Sequence, residues 1–118
     1  MIVETFQLTA SDSDVLKAPS RLAAIPSAGV LTLECSANVC AAANHWDLAI
    51  RDAEGDVPIR DCRVPANGMG DGSNAIAGVL HGSTEWVIAI PVEQGQHVGV
   101  DATLTGTADL FIRATLKP

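Results

Sequence analysis

Short runs in which apolar and polar residues alternate recur along most of this chain, and Gly, Asn, Asp or Pro closes each run. The clearest run covers residues 45–51, where Trp46, Leu48 and Ile50 occupy every second position. Successive side chains of a β-strand point to opposite faces, so this spacing gives a strand with one apolar and one polar face. No amphipathic helical segment separates the runs. The pattern predicts an all-β protein, an antiparallel β-sandwich of about eight strands.

The alternation also predicts where the strands lie. The runs cover residues 2–9, 30–35, 45–51, 57–64, 85–90, 97–104 and 108–116, with a weaker run over 75–80. Pro58 cannot donate a ladder hydrogen bond, so it is expected at a sheet edge or at the start of a strand. Residues 10–28 break the pattern with turn-forming residues and two prolines. We expect a long connection there, of the kind that crosses between sheets in Greek-key and jelly-roll folds; a short helical turn over 13–17 is the alternative.

Length and composition limit the class of protein. The chain has 118 residues, and 47% of them are apolar. This is enough to bury a core, so we expect residues 1–118 to form one domain. Its net charge is −7 and its seven basic residues are scattered, so we expect no nucleic-acid partner. No apolar stretch reaches the roughly 18 residues of a membrane-spanning helix, and no signal peptide is recognisable. We therefore expect no membrane partner, and synthesis in a cytoplasm.

The sequence shows no pattern typical of a catalytic, cofactor or metal site. His45, His81 and His97 have no metal-ligand spacing, and the paired histidines of a cupin are missing, so we expect surface histidines. The carboxylates within residues 52–56 fit a solvated hairpin tip better than a calcium loop. The glycine-rich residues 67–72 lack the ending of a phosphate loop. The prediction is a protein that is not an enzyme, with no site residues, no metal and no cofactor.

The cysteines and aromatic residues leave alternatives open. Cys35, Cys40 and Cys62 are expected to be buried reduced thiols, although a bridge between Cys35 and Cys40 is the alternative. Aromatic rings are few, whereas surfaces that bind sugars or single strands usually present rings for stacking. If Trp46 and Trp86 are exposed and coplanar, a sugar-binding surface is favoured; if both lie in the core, it is not.

Three parts of the C-terminal third, residues 90–100, 104–110 and 112–116, share their turn residues and alternation with a known class of protein. With residues 4–9, 22–26 and 29–33, they resemble small decoration (cement) or minor capsid proteins of bacteriophages, of jelly-roll type. The resemblance extends over most of the chain. It implies a jelly-roll sandwich on the capsid surface of a virion, often a trimer or another symmetric oligomer, in contact with the major capsid protein and with copies of itself.

We therefore expect a virion structural protein that decorates or stabilises an icosahedral capsid through protein–protein contacts. Residues 1–20 are a candidate N-terminal arm that adds a strand to a neighbouring copy. The alternative is a ligand-binding β-sandwich, such as a carbohydrate-binding or host-attachment module. Val30, Val87 and Phe111 lie opposite the inward sets of their strands, and this second apolar face indicates either buried strands or subunit contacts.

Overall fold

The computed structural model describes residues 1–37, 44–52, 57–65 and 85–118. The strands in these ranges are β1 (Ile2–Leu8), β2 (Gly29–Ala37), β3 (His45–Asp52), β4 (Val57–Pro65), β5 (Glu85–Val92), β6 (Val98–Thr105) and β7 (Leu110–Lys117). They form a four-stranded sheet in the order β1-β7-β2-β5 and a three-stranded sheet in the order β4-β3-β6. Every pairing is antiparallel. The predicted antiparallel β-sandwich is thus confirmed.

The strand pairs are nested in the way a jelly roll requires. β1 pairs with β7, β2 with β5, and β3 with β4. β6 pairs with β3 on one side. On its other side Asp12 forms an isolated antiparallel bridge with Ala102. With residues 10–16 counted as the partner of β6, the four nested pairs are those of an eight-stranded jelly roll. The weak strand expected over 75–80 lies outside the described residues.

The inward faces of the two sheets form one apolar core, as the alternation predicts. Its strand residues are Leu31, Leu33, Cys35, Ala37, Trp46, Leu48, Ile50, Val64, Ile88, Ile90, Val92, Val98, Val100, Ala102, Leu110, Ile112, Ala114 and Leu116. Ile2, Phe6, Leu8 and Leu104 are partly buried against this core. Burying each large aliphatic side chain contributes about 1.5–3 kcal/mol, so the period-two pattern itself drives the two sheets together.

Residues 10–28 cover the edge of β6 without forming a strand. Leu16, Leu22 and Ile25 are buried in the core, and Val15 nearly so. The Val15 amide donates to the carbonyl of Val100 (2.8 Å), and the amide of Ile25 donates to the carbonyl of Gln96 (2.9 Å). The segment consists of bends and turns, and the helical turn considered for residues 13–17 is not formed. Buried anchors and backbone hydrogen bonds hold the long connection in place.

Pro58 was expected at a sheet edge or at a strand start, and both hold: β4 is the outer strand of its sheet, and Pro58 is its second residue. The register places Ile50 opposite Arg60 and Arg51 opposite Pro58. Residue 59 is therefore the extra residue of a β-bulge, which bends the strand and shifts its register before the pairing continues at Pro58 and Val57.

β1 is also an edge strand, and it is paired within its own chain. It runs antiparallel to β7 from Ile2 opposite Leu116 to Leu8 opposite Leu110. An arm that extends away from the domain to a neighbouring copy would have to leave this pairing. The N-terminal arm stays a prediction.

Candidate binding surface

The outward side chains of the four-stranded sheet, the larger of the two described sheets, form one surface, which we name the outer face. It consists of Val3, Thr5 and Gln7 of β1, Phe111, Arg113, Thr115 and Lys117 of β7, Val30, Thr32, Glu34 and Ser36 of β2, and Val87, Ala89 and Pro91 of β5. The register sets these side chains in rows across the sheet. In one such row Thr5, Arg113, Glu34 and Val87 are neighbours.

An ion pair lies in the middle of the outer face. Arg113 donates from Nε to Oε1 of Glu34 (3.1 Å) and from its terminal nitrogen to Oε2 (2.7 Å). These two parallel hydrogen bonds lower the pKa of Glu34, and the nearby charge of Lys117 lowers it further. Among the described side chains of the outer face these are the three charged groups, although the whole chain carries a net charge of −7.

The outer face carries most of the exposed large apolar side chains in the described parts of the chain. Val87 is 61% exposed, Val30 42%, Val3 40% and Phe111 37%. Val30, Val87 and Phe111 are therefore exposed, so the buried strands that were one interpretation of these residues are not found, and subunit contacts stay a prediction. A groove of about 330 Å³ beside the Phe111 ring is lined by hydroxyl groups, by the Glu34–Arg113 pair and by apolar side chains. Apolar side chains around a neutralised ion pair give a surface that can contact a partner.

The aromatic residues are distributed differently. Trp46 is completely buried in β3, and its indole Nε1 has no hydrogen-bond partner among the described residues. The side chain of Trp86 lies outside the described part of β5, so the prediction about the two tryptophans is tested for Trp46 alone. Phe6 is partly buried against the core, which leaves Phe111 as the aromatic ring that the described outer face presents.

The described histidines, His45 and His97, lie at the surface but are only partly exposed. The side chain of His97 is only 20% exposed, and its Nε2 lies 2.7 Å from Oδ1 of Asp14. Its Nδ1 faces the carbonyl oxygen of Ala23 at 2.5 Å. His45 is also largely buried, with Nε2 3.5 Å from Oδ2 of Asp47 in the same strand. His81 lies outside the described residues. Asp14 and His97 are 83 residues apart in sequence, so no local pattern predicts this contact.

A second ion pair adjoins that histidine. Asp101 of β6 accepts hydrogen bonds from Nε of Arg51 in β3 (3.2 Å) and from the backbone amide of Asp14 (2.9 Å). These bonds, that from Arg51 first, lower the pKa of the Asp101 carboxyl. The residues thus connect both strands with the segment that covers the edge of β6.

The structure describes the remaining candidate positions only in part. Within the described ranges, no group of three or more His, Cys, Asp or Glu side chains is placed to hold a metal ion. Cys35 is buried in the core, whereas residue 40 and the side chain of Cys62 lie outside the description. The hairpin tip at 53–56 and the glycine-rich residues 67–72 also lie outside it. Over the part of the chain that is described, no helix is long and apolar enough to span a bilayer.

No family model and no curated protein matches this chain. Among solved structures, its fold is similar to that of a carbohydrate-binding module, CBM6cm-2 from Cellvibrio mixtus lichenase 5A, in complex with cellotriose. The TM-score is 0.48 and the sequence identity 20%, over 94% of this chain and 75% of that chain. The similarity concerns the β-sandwich fold.

Proposed function

We propose that this protein is a non-catalytic binding module and that the outer face is its contact surface. The observation that carries the proposal is the set of exposed apolar side chains, Val3, Val30, Val87 and Phe111, around the internally neutralised Glu34–Arg113 pair. Apolar patches rimmed by polar groups are typical of protein interaction sites, and a neutralised pair costs less to cover than an isolated charge. The setting is the capsid surface of a virion, as the resemblance to decoration proteins implies.

The size of the outer face bears on the kind of partner. Four strands spaced about 4.8 Å apart, each about eight residues long, present roughly 500 Å². A stable pairwise interface usually buries about 800 Å² on each partner. A single contact through this face would therefore be weak. Neighbouring copies around a capsid symmetry axis would supply further contacts, and multivalent attachment compensates for a small individual interface.

The test compares two substitutions of exposed apolar residues on opposite sheets. Val87→Lys places a charge on the outer face, whereas Ile59→Lys places one on β4 in the other sheet, where Ile59 is also exposed. We expect Val87→Lys to weaken binding to virions at least tenfold and Ile59→Lys to leave it unchanged. Cosedimentation with virions, taken from lysates of cells that produce the protein, measures binding. Light scattering after size exclusion measures the number of subunits in the oligomer. A monomer that never associates with particles would overturn the proposal.

The second candidate function is binding of a carbohydrate in the groove beside Phe111. The observation that favours it is one exposed aromatic ring next to Glu34, Arg113, Thr5 and Ser36, which offers an apolar platform with hydrogen-bonding groups at its side. NMR titration with neutral soluble oligosaccharides tests it. Shifts confined to this groove and abolished by Phe111→Ala would support the carbohydrate, and no shifts at millimolar sugar would reject it.

A further inference from the structure

The ion pair of the outer face joins the two middle strands of its sheet. The strand order is β1-β7-β2-β5, so Arg113 of β7 and Glu34 of β2 lie on either side of the line that divides the sheet in half. Their row continues to Thr5 of β1 on one side and to Val87 of β5 on the other. The row thus places a cation and an anion at equal distances from the middle of the sheet.

This placement makes the outer face complementary to a second copy of itself. Consider a two-fold axis that lies in the interface and runs along the strands, between β7 and β2. Each residue of a row then faces its counterpart across the axis, so Arg113 of each copy faces Glu34 of the other and Val87 faces Thr5. A two-fold axis that crosses the strands at this row would instead set like charges against each other. The charges therefore select the axis along the strands.

The charged side chains are placed to make this contact. Both are partly exposed, and sheets packed face to face lie about 10 Å apart with their strands within about 30° of each other. Each oxygen of the Glu34 carboxylate accepts a hydrogen bond from Arg113 of its own chain and has a further lone pair for a donor of the second copy. The four charges of a dimer would alternate in sign, which compensates for their removal from water.

The charge of the remaining surface opposes other contacts between copies. The described outer face has two cationic side chains, Arg113 and Lys117, and one anionic side chain, Glu34, whereas the whole chain has a net charge of −7. Negative charge is therefore concentrated on the other surfaces, where two copies repel each other. The outer face allows two copies to approach without this repulsion.

We propose that the partner of the outer face is a second copy of this chain, bound in a two-fold dimer whose four-stranded sheets pack face to face. The inference rests on the proposed function, because it uses the same contact surface. The outer face offers roughly 500 Å² per copy, less than the roughly 800 Å² of a standard interface, so the dimer is weak and forms at about 0.01–1 mM. A dimer also presents every other surface twice, which strengthens attachment to a particle.

Reversal of one charge at a time tests the arrangement. Glu34→Arg gives the row two cations and Arg113→Glu gives it two anions, so each variant repels its own copies. We expect each variant to dimerise at least about tenfold more weakly than the parent. A one-to-one mixture of the two variants should dimerise within about threefold of the parent, because opposite charges face each other again. Sedimentation velocity between about 10 µM and 1 mM measures association.

Lys17→Glu is the matched control. It changes the net charge as Arg113→Glu does, but at an exposed position in the segment that covers β6, and it should dimerise like the parent. If a reversal does not fold, Val87→Lys takes its place with Ile59→Lys as its control; both positions are exposed, and only the first should weaken the dimer.

Four results would overturn the dimer: a parent that is monomeric at about 1 mM, reversals that dimerise like the parent, a mixture no stronger than either variant alone, or an equal loss in Lys17→Glu. Cosedimentation with virions separates this inference from the proposed function. If the parent stays monomeric but binds virions through a surface that Val87→Lys disrupts, the dimer is wrong and the contact surface remains. If the dimer forms as expected but never binds virions, the dimer stands and the capsid setting is wrong.

Discussion

Two glycines in left-handed conformation show how a single residue depends on its surroundings. Gly95 and Gly106 have φ angles of 86° and 87°. A Cβ on Gly95 would meet nothing within 4 Å, whereas a Cβ on Gly106 would lie 2.0 Å from Oδ1 of Asn44. Asn44 also bonds both the amide and the carbonyl of Thr107, so it holds the turn between β6 and β7. Gly106 is thus constrained by its conformation and by its neighbour.

The two alanine variants separate these causes. Gly95→Ala should lower the free energy of unfolding by about 1–2 kcal/mol, the cost of the left-handed conformation alone. Gly106→Ala should cost roughly 1–3 kcal/mol more, because Asn44 has to move and its hydrogen bonds to Thr107 are lost. Urea denaturation of both proteins measures the difference. Equal losses in the two variants would contradict the role given to Asn44.

The carboxylate of Asp101 is the clearest source of acid sensitivity. Hydrogen bonds from Arg51 and from the amide of Asp14 lower its pKa, so the folded state binds a proton there less readily than the unfolded chain. The stabilisation is fully present above the unfolded pKa and is lost as the pH falls through the folded pKa. Since the side chain is 34% exposed, water screens the pair and the contribution is at most about 1 kcal/mol.

Asp101→Asn isolates this charge, because asparagine keeps an acceptor for the amide of Asp14. We expect the variant to be less stable than the parent at neutral pH and to lose less stability on acidification. The lowered pKa values of Glu4 and Glu34 act in both proteins, so they cancel in the comparison. Urea titrations at a series of pH values between about 7 and 2.5 provide the measurement. Parallel pH profiles for the two proteins would show that Asp101 contributes nothing.

At the scale of the elements, each described sheet edge carries a feature that hinders addition of another strand. The carbonyl of Val3 in β1 accepts from Arg21, and Pro58 with its bulge interrupts β4. β5 contains Pro91, and the segment bonded to Ala102 covers β6. Such features prevent edge-to-edge association. They favour contact through the outer face of the sheet over contact through strand exchange.

The segment of residues 10–28 is predicted to contribute to stability as much as a strand does. Leu22→Ala should lower the free energy of unfolding by about 2–5 kcal/mol, because Leu22 is fully buried although no regular structure holds it. The exposed Val30→Ala should cost no more than about 1 kcal/mol. Chemical denaturation compares the two. A loss for Leu22→Ala no larger than that of the control would mean that the segment is a loose connection.

For the whole molecule, the nested pairing brings the two ends of the chain together. β1 pairs with β7, and β7 also pairs with β2, so the last strand lies inside the four-stranded sheet. These contacts join residues distant in sequence, which makes folding slow. We expect refolding on the millisecond-to-second timescale, measured by stopped-flow fluorescence of the buried Trp46. Refolding within microseconds would contradict a nucleus built from such distant contacts.

Most of the fold was predicted from the local alternation of apolar and polar residues. Burial of Trp46, Leu48 and Ile50 follows from their spacing alone, because a strand with two unlike faces buries its apolar one wherever it lies in the sandwich. Pro58 likewise predicted an edge or a strand start, since proline lacks the donor that the middle of a central strand needs. Of the candidate surface, the outward positions of Val30, Val87 and Phe111 were also predictable.

What the sequence by itself determined is thus the fold class and the two faces of each strand, because these depend on neighbours along the chain. The tertiary structure decided which strands share a sheet, and therefore that the outward residues of β2, β5 and β7 meet on one surface. It also decided the pairing of Glu34 with Arg113 and of His97 with Asp14, which lie 79 and 83 residues apart. Such contacts depend on the register between distant strands, and no local pattern encodes that register.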